Sequence, residues 1–256
     1  MKRFWLNFLR RCALQANEGS LRTGERLEFA WVNSALPINN ATWCTTPPVS
    51  VADLRERIVE AGSSTLPWVF YLFEPEVPAT VLAEADAVAS AGGLTMMGYL
   101  RVMLGDVAQL LPPARQLPAV QMVRVASRAD AWNALDLNTR AYGMPLFITD
   151  SVVDSGAYFR DAQREFGFVA MAGGVPVSTA TVIEIDGWLY VAAVATCPGH
   201  RKQGYAEAVM RHALQTAADA RGITRTALDA SLGGSTLYAQ MGYKATGDLW
   251  RMYVSA

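Results

Sequence analysis

One segment of the chain, residues 188–222, constrains the fold more than any other. It reads WLYVAAVATCPGHRKQGYAEAVMRHALQTAADARG, an apolar strand followed by a short polar turn and an amphipathic helix. The start of such a helix presents unpaired backbone N–H groups and the positive end of the helix dipole. Gly204 lets a ligand approach that backbone closely, and Gly222 ends the helix. The segment therefore predicts a binding site for a diphosphate.

The overall composition narrows the classes of partner. The chain has 256 residues, is 52% hydrophobic and carries a formal net charge of −1. Nucleic acid is not expected as a partner, because binding a phosphate backbone needs an excess of Lys and Arg. No run of about 18 uncharged apolar residues is present, so no membrane partner is expected either. His200 and His212 are the only histidines, too few for a His-based metal site, and no metal is expected.

The cysteines indicate the compartment. Cys12, Cys44 and Cys197 are widely spaced and show no CxxC pattern. An odd number of scattered thiols is typical of a reducing compartment rather than of a disulfide framework. The expected localisation is therefore the cytoplasm.

The order of elements predicts an α/β (α+β) fold with a mixed central sheet flanked by helices. Helices are predicted over 4–17, 51–62, 79–91, 129–142, 151–164, 204–221 and 234–241. Strands are predicted over 66–73, 94–104, 122–127, 165–173, 177–185, 188–196, 224–231 and 243–254, with hairpin turns at Gly173-Gly174 and Asp186-Gly187. The proline-rich stretch 110–119 predicts a boundary between a first domain, 1–115, and a second, 116–256.

Other phosphate-binding loops do not fit the turn before the helix. Gly199 and Gly204 have the GxxxxG spacing, but Tyr205 and Ala206 stand where a Walker A loop requires Lys and Ser/Thr. The sequence contains no GxGxxG, so a Rossmann dinucleotide site has no support.

Two motifs in the second half resemble those of the GCN5-related N-acetyltransferase (GNAT) family. The hexapeptide 201–206, RKQGYA, matches Arg/Gln-x-x-Gly-x-Gly/Ala, and 235–243, STLYAQMGY, resembles the family's LYxxxGF helix and strand. The resemblance covers about residues 120–256. It implies a GNAT-like acyl-CoA N-acyltransferase fold and acetyl-CoA as co-substrate. It further implies transfer of the acetyl group to a primary amine of a small molecule or peptide by direct attack in a ternary complex.

The resemblance also implies roles for individual residues. Backbone groups of Val194, Ala195 and Thr196 would hold the pantetheine arm. The pyrophosphate would be held by Arg201, Lys202, Gln203, Gly204, Tyr205 and Ala206. Tyr238 stands where family members often have a tyrosine that protonates the leaving thiolate, a role suited to a neutral phenol. Ser231 stands where many relatives have an asparagine that touches the cofactor, so this contact departs from the family's pattern.

Several functional questions stay open on the sequence alone. The base that deprotonates the amine is unassigned, with Glu184 and Asp229 as candidates. Cys197 has no accompanying His and Asp/Asn pattern that would make it a nucleophile. A non-catalytic acyl-CoA sensor and a structural interaction protein are the competing functions, and the oligomeric state is undetermined.

The end of the first half repeats the pattern of the chain's C-terminus. VLAEADAVASAGGLTMMGYLRVML (81–104) and TLYAQMGYKATGDLWRMYV (236–254) both consist of a short helix, a glycine stop and an apolar strand, and Ala83 falls near the place of Tyr238. This predicts a duplicated GNAT-like fold whose first copy has lost its cofactor site; a separate α/β lid is the alternative. Either way the first half would shape the acceptor pocket, with Asn39, Asn40 and Trp43 as candidate contributors.

Overall fold

A computed structural model describes residues 3–62 and 66–255. Its helices are α1 (Arg3–Gln15), α2 (Val51–Ala61), α3 (Ala79–Ala91), α4 (Arg128–Ala141), α5 (Phe147–Ser155), α6 (Tyr205–Arg221) and α7 (Ser235–Gln240). Its strands are β1 (Ser20–Thr23), β2 (Leu27–Trp31), β3 (Asn40–Cys44), β4 (Val69–Phe73), β5 (Leu94–Asp106), β6 (Gln121–Arg124), β7 (Glu165–Ala172), β8 (Val175–Ile185), β9 (Trp188–Thr196), β10 (Arg225–Ser231) and β11 (Lys244–Ser255).

The strands of the described residues form one sheet in the order β1-β2-β3-β4-β11-β5-β10-β9-β8-β7-β6. Helices cover both faces of the sheet. Alternate residues of a strand point to opposite faces, so neighbouring residues pack against different helices. Tyr190 of β9 packs with α1, whereas its neighbour Leu189 packs with α6. In the same way, Tyr71 of β4 faces α1 and Phe70 faces α2 and α3. The result is the predicted mixed sheet flanked by helices.

The two halves of the chain repeat one order of elements. The first half runs β1-β2-β3-α2-β4-α3-β5, and the second runs β7-β8-β9-α6-β10-α7-β11. In each half the third and fourth of these strands are parallel neighbours, β3 with β4 and β9 with β10. This repetition supports the predicted duplication over a separate lid.

The last strand of each half lies in the sheet of the other half. β11 pairs with β4 and β5, and β5 pairs with β11 and β10, all antiparallel. Trp250 of β11 therefore has Phe73 on one side and Leu100 on the other. The segment 110–119, where the domain boundary is predicted, contains no helix or strand. The division into 1–115 and 116–256 remains a prediction, and the sheet runs without interruption through both parts.

Helix α1 packs against strands of both halves. Its side chains Phe4, Trp5, Phe8 and Leu9 are buried against the middle of the sheet. On its outer side, Arg11 forms an ion pair with Glu165 of β7 at 3.0 Å. None of the helices in 3–62 and 66–255 is both long and apolar enough to cross a membrane.

One predicted helix is displaced along the chain. The helix expected over 151–164 is observed at Phe147–Ser155, where it ends in the left-handed residue Gly156 with φ of 66°. Left-handed glycine is a common helix terminator, and residues 156–164 form an irregular loop instead. Segment 94–104, expected as one or two strands, is a single strand, Leu94–Asp106.

Candidate functional site

The proposed site lies where β9 and β10 separate. The two strands pair in parallel from Leu189–Thr226 to Val191–Leu228. Beyond this point β9 carries a bulge: Thr181 faces Ala192 but Thr179 faces Ala195, and Ala193 has a φ of 51°. A bulge bends its strand and disrupts the ladder locally. The continuing ends of β9 and β10 therefore enclose an opening in the sheet.

Backbone groups on the β9 side of this opening are left for a ligand. Ala195 is turned to β8, where it pairs with Thr179 and its carbonyl accepts from Ser178 Oγ at 2.8 Å. Cys197 N likewise donates to Val177 O of β8 at 2.9 Å. Because bonding alternates along a strand, the backbone groups of Val194 and Thr196 point away from β8, towards the opening.

The loop 201–204 brings the N-terminus of α6 to the end of the opening. Lys202 and Gly204 have positive φ values of 61° and 91°, and no side chain caps α6 at Gly204. The first amides of α6 are therefore available to a ligand. Glu207 lies in the first turn of α6, and its Oε1 forms an ion pair with Arg211 Nη2 at 2.7 Å. This pair offsets the negative charge of Glu207 at the positive end of the helix dipole.

Two loop side chains shape the backbone rather than extend towards a ligand. Arg201 donates to the carbonyl of Ala141 at the end of α4 and, at 3.4 Å, to that of Thr196. Gln203 Nε2 donates to Gly199 O at 3.3 Å. Lys202 is exposed, whereas Tyr205 and Ala206 are half-buried. The groups of this loop that are left to contact a ligand are thus its amides and Lys202.

The corresponding helix of the first half, α2, has its N-terminus closed by its own side chains. Ser50 caps it, with Oγ accepting from Asp53 N at 3.1 Å. Asp53 in turn accepts from Val49 N at 2.9 Å and pairs with Arg57 at 2.9 Å. A carboxylate therefore occupies the place at the start of α2 that an anion would need, in contrast to the uncapped start of α6.

Asp229 lies at the base of the opening, one residue beyond the last β9–β10 pair. Its Oδ2 accepts from Tyr190 Oη at 2.9 Å. Its Oδ1 is shielded from solvent and has no hydrogen-bond partner within the described part of the chain. Burial raises the pKa of Asp229 to about 7, against the opposing effects of Tyr190 and the nearby Trp250 indole. This carboxyl group is poised to exchange a proton near neutrality.

Glu184, the other candidate base, is engaged elsewhere. Its Oε2 lies 2.6 Å from Arg221 Nε, at the C-terminal end of α6. With 17 residues in α6, that end is about 25 Å from the loop before the helix. The structure therefore favours Asp229 over Glu184.

Tyr238 lies on the short helix α7 and is half-buried, with its ring 6.1 Å from that of Tyr243. Burial raises the pKa of Tyr238 above its ordinary value, so the phenol keeps its proton at neutral pH. No other described residue accepts a hydrogen bond from its hydroxyl. Ser231 is exposed, and its Oγ accepts from Gly234 N at 3.3 Å, so it forms part of the turn into α7.

Three predicted contributors to the acceptor pocket lie at or just before β3 and are buried. Asn39 bonds to Ser34 and accepts from Tyr158 Oη at 2.6 Å. Asn40 donates to two carbonyls, and Trp43 is 1% exposed. All three are buried and hold backbone and core in place, and their part in an acceptor pocket remains a prediction. His212 is exposed and packs edge-on against Phe168.

Sequence reasoning missed three features of the site. These are the bulge at Ala193, the Tyr190 hydroxyl, and Asn138, whose Nδ2 lies 3.5 Å from the Ala193 carbonyl. A left-handed alanine carries no sequence signature, since such a conformation is favoured by glycine. Tyr190 and Asn138 read as ordinary members of a strand and a helix.

Comparisons with known proteins agree with this geometry. Residues 133–243 match the profile of the Acetyltransferase (GNAT) family. A search of curated proteins gave no match. Among solved structures, a GCN5-related N-acetyltransferase from Kribbella flavida is 21% identical with a TM-score of 0.68, over 99% of this chain and 94% of that one.

Two further structures are similar over both halves. A GCN5-related N-acetyltransferase from Sphaerobacter thermophilus is 15% identical with a TM-score of 0.61, over 92% of this chain and 82% of that one. A tandem GNAT protein from the clavulanic acid biosynthesis pathway is also 15% identical, with a TM-score of 0.53, over 91% and 80%. The chain therefore has the fold of tandem GNAT proteins, and its residues 133–243 match the model of the GNAT acetyltransferase family.

Proposed function

We propose that this chain is an acetyl-CoA-dependent N-acetyltransferase that acts on a primary amine of a small molecule or peptide. One observation carries the proposal. The opening between β9 and β10 leads from an unpartnered carboxylate oxygen of Asp229 to the uncapped amides at the start of α6. A proton acceptor and an anion-binding site at one opening suit the transfer of a group carried by a diphosphate-containing molecule.

The residues that would hold acetyl-CoA follow from the same geometry. The amides from Lys202 to Ala206, with the Lys202 ammonium group, would bind the pyrophosphate. The backbone groups of Val194 and Thr196 would bind the pantetheine arm. Acetyl-CoA supplies an acetyl group activated as a thioester.

The protein groups supply proton transfer and polarisation. Asp229 takes the proton of the substrate ammonium, which frees the lone pair that forms the C–N bond. A backbone N–H at the bulge, at Ala193 or Val194, donates to the carbonyl oxygen where negative charge develops. Tyr238 would donate its phenolic proton to the sulfur as the C–S bond breaks, and the second proton of the attacking nitrogen would return to the Tyr238 oxygen as the amide forms. Holding both reactants in one opening contributes further to the rate.

The test is a measurement of thiol release from acetyl-CoA with a panel of primary amines, alongside calorimetry of acetyl-CoA binding. We expect binding, and thiol release that depends on the amine. Binding with no release for any amine would favour the acyl-CoA sensor, and the absence of binding would favour a structural protein. Cys12, Cys44 and Cys197 are all in the thiol form in the structure, which supports an assignment to a reducing compartment such as the cytoplasm.

A further inference from the structure

The segment that joins the two halves lies against the loop before α6. We call residues 110–119 the interlobe linker. A Cβ built on Gly204 would lie 3.2 Å from Pro118 Cδ, 3.4 Å from Leu117 Cδ2 and 3.7 Å from Arg115 Nε. The Arg115 guanidinium is therefore beside the backbone of Gly204, the residue that precedes α6.

The linker is held in this position at its other end as well. Leu111 N donates to Met241 O at 3.0 Å, and the Leu111 carbonyl accepts from Arg211 Nη2 at 2.6 Å. Arg211 belongs to α6, the same helix whose start Arg115 approaches. Fixed points on both sides limit where Arg115 can extend.

The cations around the start of α6 lack the carboxylate partners that other arginines of this chain have. Arg10, Arg57 and Arg251, for example, are each paired with a Glu or Asp side chain. In residues 3–62 and 66–255, neither Arg115 nor Lys202 has a carboxylate within ion-pair distance, and both are exposed. Arg115 Nε lies beside Gly204, and Lys202 precedes Gly204 by two residues, so both belong to the positive end of the α6 dipole, where an anion would offset their charge.

We propose that Arg115 of the interlobe linker binds a phosphate of the CoA moiety, so that the linker forms one side of the nucleotide site. This inference rests on the proposed function, since it requires a CoA ligand at the start of α6. The linker thereby couples cofactor binding to the segment that connects the halves. The phosphate is either part of the diphosphate or the 3′-phosphate of the ribose, and both present oxygens suited to a guanidinium.

Calorimetry of CoA binding tests the role of Arg115. We expect Arg115→Gln to weaken CoA binding about three- to tenfold, with a larger effect at low ionic strength. Arg55→Gln is the matched control, because Arg55 is an exposed arginine on α2 of the first half and its loss changes the net charge equally. Repeating the titrations with dephospho-CoA separates the two phosphates: the Arg115 effect disappears if it contacts the 3′-phosphate and persists if it contacts the diphosphate.

Limited proteolysis with trypsin is a second measurement and reports on the linker itself. Arg115 is an exposed trypsin site in a segment without helix or strand, so the wild-type chain should be cut after it. Saturating CoA should slow this cut about fivefold or more, while cuts at exposed arginines of the first half should proceed unchanged. If wild type binds CoA but Arg115→Gln binds it equally well and CoA does not protect the linker, this inference is wrong. If wild type binds no CoA at all, the proposed function fails instead.

Discussion

Asp229 links stability to pH in a direction opposite to that of most acidic residues. Its pKa in the folded chain, about 7, exceeds the ordinary value of 3.8, so the folded state holds the proton more tightly than the unfolded state. Stability from this group is complete below the ordinary pKa and is lost as pH rises through about 7. A buried carboxyl group whose ionised form destabilises the fold is typical of functional sites.

Asp229→Asn should therefore stabilise the protein in a pH-dependent way. The amide oxygen can still accept from Tyr190, but no charge has to be buried. We expect a gain in the free energy of unfolding on the order of 2 kcal/mol at pH 8 that shrinks towards pH 4. Urea denaturation at both pH values measures it. Asp219→Asn, the same substitution at an exposed position on α6, is the control.

The same substitution should remove the pH dependence of catalysis. In the wild type, kcat/KM should rise with pH through about 7, because the base works only when it is ionised. Asp229→Asn should lower kcat at least about 100-fold and flatten this rise. A variant that keeps the wild-type profile would show that another group accepts the proton.

Tyr238→Phe separates proton donation from binding. Removing one hydroxyl leaves the ring packed beside Tyr243, so the fold and acetyl-CoA binding should be unchanged. We expect kcat to fall about 10- to 100-fold while the Kd of acetyl-CoA stays within about twofold. Steady-state kinetics with calorimetry measures both. Tyr99→Phe on β5 is the control, and equal rates for wild type and Tyr238→Phe would remove Tyr238 from the mechanism.

The start of α6 depends on the conformation of a single glycine. Gly204 has a φ of 91°, which L side chains rarely adopt, and a Cβ there would meet the linker at Pro118. The strain and the contact would act together to displace the amides that form the anion site.

Gly204→Ala should lower the free energy of unfolding by about 1–3 kcal/mol and weaken acetyl-CoA binding by at least about tenfold. Thermal unfolding and calorimetry provide the two measurements. Gly199→Ala in the same turn is the control, because a Cβ there has open space around it and its φ lies outside the left-handed region. It should stay within about 0.5 kcal/mol of wild type.

The exchanged strands make the halves depend on each other. Without the first half, β10 and β11 lose the strand between them, and two edges with unpaired backbone groups are exposed. The interlobe linker is then a connection within one cooperative unit, although its composition suggests a boundary between independent domains.

The fragment 116–256 alone should therefore fail to fold, whereas its co-expression with 1–115 should give a stable complex. Circular dichroism and size-exclusion chromatography distinguish these outcomes. Cutting the wild-type linker with trypsin after folding provides the control, since the nicked chain should remain associated. A fragment 116–256 that folds alone with a cooperative transition would show that the exchanged strand is dispensable.

Local sequence determined the parts of this protein that are built from neighbouring residues. The helix predicted over 204–221 and the Asp186-Gly187 turn depend on neighbouring residues, and the structure has them where the pattern predicts. The Ser50 cap of α2 is equally local. The same holds for the loop 201–206, whose glycine and polar residues form one continuous motif. Such features depend on backbone conformation and local hydrogen bonds.

Tertiary structure decided what depends on residues far apart in the chain. The sequence offers Asp229 and Glu184 as equal candidates for the base. In the folded chain Asp229 lies where β9 and β10 separate, whereas Glu184 pairs with Arg221. Asn39 resembles an exposed polar residue until the fold buries it against Tyr158. The placement of β5 and β11 in the sheet of the opposite half also has no local signal. An apolar pattern predicts a strand but not the strand with which it pairs.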